Sequence, residues 1–160
     1  MTLLVPYDAL ELADTALARA AAFGDLLEER VLAVTVVPEH NARYARERGW
    51  LAADEPFDRE TIHERLREQI REIAPHAATR FERVDRNAPS GTISTRLRRV
   101  AASEDTSMVF VGSDSAGRLT RSIASVGSGV AADAAYDVVI VRRPGPSTSE
   151  TLRDVEPEAE

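Results

Sequence analysis

Gly112 ends the apolar run of residues 108–111 and opens a short polar stretch, Ser113-Asp114-Ser115-Ala116, that closes at Gly117. After nine intervening residues come Gly127 and Ser128. Glycines where a strand passes into a helix let backbone N–H groups turn toward an anion, and the N-terminus of the helix adds partial positive charge. The chemistry open to such a stretch is the cradling of a phosphate, largely by backbone. The same residues serve equally as a tight turn followed by a glycine for helix packing. Asp114 repels a phosphate unless Mg²⁺ intervenes or its side chain turns away. Arg118 and Arg121 either pair with phosphate or face solvent from a helix. Asp8, three residues before Glu11, has the spacing of a helix N-cap with a capping-box partner.

Other constellations carry less. Residues 127–132 fit the dinucleotide pattern G-x-G-x-x-A, but they come late and no clear strand precedes them. The segment GSDSAG misses a serine nucleophile turn by one residue. His40, His63 and His76 all precede it, so a hydrolase order of Ser, Asp, His is not met. The three histidines lack ligand spacing, and no metal site is expected.

Composition removes further classes. The chain has 160 residues, a formal charge of −7 and no cysteine, which excludes disulfides, thiol nucleophiles and thiolate metal sites. All 20 basic residues are arginine, so neither a P-loop lysine nor a Schiff-base lysine exists. The acidic balance argues against nucleic acid as a partner. No apolar stretch approaches a membrane span, and the first residues lack the pattern of a signal peptide. A cytoplasmic protein is expected.

The elements that must position these residues follow from hydrophobic patterning. Residues 2–5 and 31–37 are apolar runs that stop at Pro6 and Pro38, and the second is continuous enough for a central parallel strand. Between them, residues 9–23 carry Leu12, Ala16, Leu17 and Ala20 at helical spacing, with Gly24 as a stop. Residues 39–57 read as a long crossover loop, with room for a helical turn, whose landmarks are Tyr44, Trp50 and Leu51. Residues 58–74 form an amphipathic helix through Ile62, Leu66, Ile70 and Ile73. Residues 79–84 alternate like an edge strand, and residues 92–102 form a helix through Ile93, Leu97 and Val100. Residues 108–111 and 138–141 complete the strands. The alternation predicts one α/β domain, residues 1–144: an open, five-stranded parallel sheet with helices on both faces. Residues 145–160 are expected to form a disordered acidic tail. Val138 to Val141, a bare apolar edge, invites a homodimer by pairing across a two-fold axis.

Val5-Pro6-Tyr7-Asp8 and the Gly112, Gly117, Gly127-Ser128 series resemble the signatures of the universal stress protein family, over residues 1–143. The family pattern places two residues between its first two glycines, whereas four stand here. The resemblance implies a Rossmann-like sheet of the adenine nucleotide alpha hydrolase-like kind, with strand order 3-2-1-4-5. It implies a nucleotide site with Pro6, Tyr7 and Asp8 after the first strand, Asp8 touching the nucleoside, and Val36 on the second strand. That valine is equally a core residue. Val111, Gly112, Ser113, Gly117 and Arg118 would follow at the fourth strand and its loop, and Gly127, Ser128, Gly129 and Val130 at the start of the binding helix. The implied ligand is ATP, ADP or AMP, with or without Mg²⁺. The implied role is a dimeric stress-response switch with slow hydrolysis at most, since no residue is an evident general base. The same fold without nucleotide, acting as an interaction module, is the alternative.

Overall fold

The computed structural model describes residues 1–114 and 136–145. The chain runs β1 (Thr2–Pro6), α1 (Glu11–Leu27), β2 (Arg30–Pro38), α2 (Ala42–Glu47), α3 (Arg59–Ile73), β3 (Ala78–Val84), α4 (Ser90–Ser103), β4 (Thr106–Gly112) and β5 (Asp137–Val141). The strands form one parallel sheet in the order β3-β2-β1-β4-β5. The chain thus builds outward from β1 in one direction, returns, and builds outward through β4 in the other. The order reverses between β1 and β4, which puts a crevice beyond their carboxyl ends.

Side chains alternate across each strand, and the alternation sorts the core into two layers. Leu3, Val5, Ala33 and Phe110 pack with Ala16 and Leu17 of α1 and with Ile62, Leu66 and Ile70 of α3. Leu4, Leu32, Val34, Val109 and Val111 pack on the other face with Val100 and Ala101 of α4. β2 is buried over eight of its nine residues, which is why it reads as an unbroken apolar run. The apolar stripe of α3 is buried at all four expected positions. Each such residue contributes about 1.5–3 kcal/mol relative to exposure. Asp58 starts the helix by accepting from the N–H groups of Glu60 (3.1 Å) and Thr61 (3.4 Å).

The ends of α1 correct the sequence reading. The helix begins two residues later than expected, with Leu10 as its cap residue and no side-chain cap. Asp8 is not that cap, because its Oδ1 accepts from the Leu10 N–H (3.0 Å) in a turn one step earlier. Ala9 inside that turn has φ 68°, so the chain leaves β1 through a left-handed residue before α1 can start. Gly24 does not stop the helix, which continues to Leu27. A Cβ there would lie 2.7 Å from Val31 Cγ2, so this glycine serves close packing of α1 on β2.

Candidate functional site

A cavity of about 210 Å³ opens beyond the carboxyl ends of β1 and β2. Its floor is the strand ends: Pro6, Tyr7 and Asp8, with Val34, Thr35 and Val36 of β2. Ile93, Ser94 and Leu97 of α4 form one wall, and Tyr44, Arg48 and Trp50 form another. Asp114, two residues past β4, lies at its edge.

The floor is tied down by β1 running on beside β2. The Tyr7 N–H donates to the Val34 carbonyl (2.8 Å), and the buried Thr35 hydroxyl donates to the Tyr7 carbonyl (2.7 Å). Pleating then sends the Tyr7 side chain into the α1–α3 layer. Its hydroxyl donates to Asp14 Oδ1 (2.6 Å), and Gln69 Nε2 donates to both Asp14 oxygens (3.1 and 3.3 Å). Burial pushes the Tyr7 phenol well above its ordinary pKa, and the Asp14 hydrogen bond and charge push it further. Burial also raises the Asp14 carboxyl, against the lowering effect of bonds from Tyr7 and Gln69.

Asp8 shares the effect of burial but not the fixed partners. Burial raises its carboxyl pKa and the charge of Asp114 raises it further, while the Leu10 N–H and the charge of Arg48 hold it down. Among the described residues its side chain accepts from the Leu10 N–H alone, which leaves acceptor capacity at the cavity it lines.

The wall from residues 41–50 is held at several points. Asn41 Oδ1 accepts from the Tyr44 N–H (2.9 Å) at the start of α2, and Asn41 Nδ2 donates to the Arg86 carbonyl (2.8 Å). Trp50, 2% exposed, donates from Nε1 to the Asp8 carbonyl (2.7 Å) and meets the Tyr44 ring edge-on. The stretch expected as a crossover loop therefore contains α2 and closes against Asp8, two residues past β1.

Four expected site residues meet at this cavity: Pro6, Tyr7, Asp8 and Val36, with Tyr7 contributing its backbone side of the strand. Three lie apart from it. Val111 is buried against α4, Gly112 is buried beside α1, and Ser113 is exposed. At Gly112 an added Cβ would fall 2.8 Å from Leu12 Cβ, so this glycine allows β4 to end close against α1. Gly117, Arg118, Gly127, Ser128, Gly129 and Val130 lie outside the described residues. Arg48 and Trp50 were not read from sequence as site residues. The signal available for Trp50 was its isolation as a large apolar residue in a polar stretch, whereas Arg48 carried none.

The cavity lies beyond β1 and β2, beside the reversal of strand order between β1 and β4, and is the candidate ligand site of this α/β sheet. The chain belongs to the universal stress protein family, whose model matches residues 1–142. Among solved structures it is similar to a universal stress family protein from Burkholderia pseudomallei, with 20% identity and TM-score 0.54 over 90% of this chain and 96% of that one. It is also similar to a universal stress protein in complex with cAMP, with 21% identity and TM-score 0.50 over 89% and 97%. At these identities the likeness speaks for the fold. None of the curated proteins compared with the chain matches it. Among the described residues, no helix is long and apolar enough to cross a membrane, and no three His, Cys, Asp or Glu residues group to hold a metal ion.

Proposed function

We infer that this chain binds an adenine nucleotide in the cavity beyond β1 and β2, and that the bound nucleotide sets its state as a dimeric stress-response switch. The observation that carries this reading is the cavity itself. It lies at the carboxyl ends of the strands, next to the reversal of strand order where ligands enter such sheets, and is lined by an acceptor, Asp8, and by apolar Val36 and Leu97. That a universal stress protein of similar fold was crystallised with cAMP supports the choice of an adenine nucleotide. Gly117, Gly127 and Ser128 would hold the phosphates, as the family resemblance implies. The site binds rather than turns over, in a cytoplasmic protein whose nucleotide domain is residues 1–144 and whose tail is residues 145–160. The dimer forms by pairing of β5 with its copy. The second reading, an interaction module of the same fold without nucleotide, is favoured by one observation: Asp114 brings a second carboxylate to the cavity that holds Asp8.

Denaturing the purified protein and identifying released nucleotide by chromatography and mass separates the two. ATP, ADP, AMP and cAMP are then titrated with and without Mg²⁺. Stoichiometric adenine nucleotide, or saturable binding weakened by Asp8→Ala, is the expected result. No carried nucleotide and no binding at millimolar concentration overturns the reading in favour of the interaction module.

A further inference from the structure

Arg48 lines the same cavity as Asp8, and adenine nucleotide binding as proposed gives it no task. Its guanidinium lies 3.4 Å from the centroid of the Tyr44 ring, which covers one flat face and holds the group in plane. Among the described residues its Nη1 reaches the Tyr44 carbonyl alone, at 3.5 Å, its Nε is shielded by protein, and its Nη2 donates to no group. Because Arg48 lines the cavity, the donors left at the Nη end of its guanidinium are the ones a ligand there would meet. The charge of Arg48 lowers the Asp8 carboxyl pKa, yet among the ion pairs of the described residues none joins the two side chains. An acceptor and a donor group thus face the same space unbridged.

We propose that Arg48 determines specificity in this cavity by donating to an acceptor atom on the edge of a flat heterocyclic base, while Asp8 accepts from a donor of the same ligand. The proposal rests on the nucleotide reading. A base fits this position better than a phosphate for two reasons. Asp8 and Asp114 would both repel an anion there. Val36, Ile93 and Leu97 offer the apolar surface that a planar ring packs against.

Calorimetric titration of the full chain with adenosine, AMP, and the 1-deaza, 3-deaza and 7-deaza adenosines tests it, on wild type, Arg48→Met and Arg48→Lys. One deaza analogue is expected to bind wild type about tenfold more weakly than adenosine, as loss of a bond to a charged group implies. Arg48→Met should bind adenosine about tenfold more weakly and lose that discrimination. Arg48→Lys keeps the charge but not the planar fork and should not restore it. The deaza series on wild type needs no folded variant. Equal binding of all three analogues to wild type overturns the proposal. So does a loss in Arg48→Met seen with AMP but not adenosine, which makes Arg48 a phosphate partner. Absence of adenosine and AMP binding to wild type instead removes the nucleotide reading, and the proposal with it.

Discussion

Tyr7 and Asp8 are successive residues, and the sheet sends their side chains to surroundings of opposite kinds. Tyr7 enters the layer between α1, α3 and the sheet, where its hydroxyl, Asp14 and Gln69 satisfy one another. Asp8 lines the cavity, where its carboxylate receives the Leu10 N–H and feels the charge of Arg48, which lines the same cavity. Both carboxyls, Asp14 and Asp8, have pKa values raised by burial. The difference is that the first is paired by neighbours fixed in the fold, whereas the second keeps acceptor capacity for something else. Burial of a charged group in this protein therefore does not mark function by itself. Incomplete pairing beside a cavity does.

The comparison sharpens most through one substitution made on both sides. Leu66 is 1% exposed between α3 and the sheet, and Leu97 is half-buried at the cavity. Leu66→Ala should destabilise by about 3 kcal/mol, because close-packed neighbours cannot collapse into the space. Leu97→Ala should cost about 1 kcal/mol, since part of its surface already faces open space. Guanidinium melts of the two variants check this, and equal losses would break the distinction between the faces.

Smaller effects of opposite sign are expected at the neighbouring pair. Tyr7→Phe removes a donor from Asp14 and should cost about 1–2 kcal/mol. Asp8→Asn keeps the Oδ1 acceptor for Leu10 and removes a buried charge, so it should stabilise at neutral pH by about 0.5–1 kcal/mol. The sign follows from linkage. A carboxyl whose folded pKa lies above its unfolded value favours the native state when protonated. That stability is fully present below the unfolded pKa and lost as pH rises through the folded pKa. The gain from Asp8→Asn should therefore be largest at neutral pH and shrink as pH falls through the acid range. Urea melts across that range measure it, and a gain that grew toward acid would contradict the raised pKa.

How much was legible in the sequence divides along the same line. The strands and α3 could be read because their signal is repeated: Ile62, Leu66, Ile70 and Ile73 each report the same buried face. The parallel order was legible through the family resemblance, and it is observed. The cavity wall could not be read, because its meaning lies in single long-range contacts. Trp50 donates to a carbonyl 42 positions away, and nothing near it in sequence announces the partner. Arg48 looks like any charge at the end of a short helix until Tyr44 lies beneath it. Asp8 misled for a related reason. An aspartate before a helix caps it in most settings, but here the chain spends its carboxylate one turn early, on the exit from β1.

That exit supplies the smallest test. Ala9, between Asp8 and the start of α1, holds φ 68°, a conformation that costs a residue with a Cβ about 1–2 kcal/mol. Glycine removes that cost but loses about 0.5–1 kcal/mol more backbone entropy on folding. The two nearly cancel, and Ala9→Gly should stabilise by about 0.5 kcal/mol. Its use lies in the second readout. If the left-handed turn serves only to leave the strand, ligand affinity should follow wild type. If the alanine helps hold Asp8 in the orientation that leaves an oxygen toward the cavity, affinity should fall while stability rises. A thermal melt alongside an AMP titration reads both, and opposed changes would make the strained turn part of the site rather than a passive exit from β1.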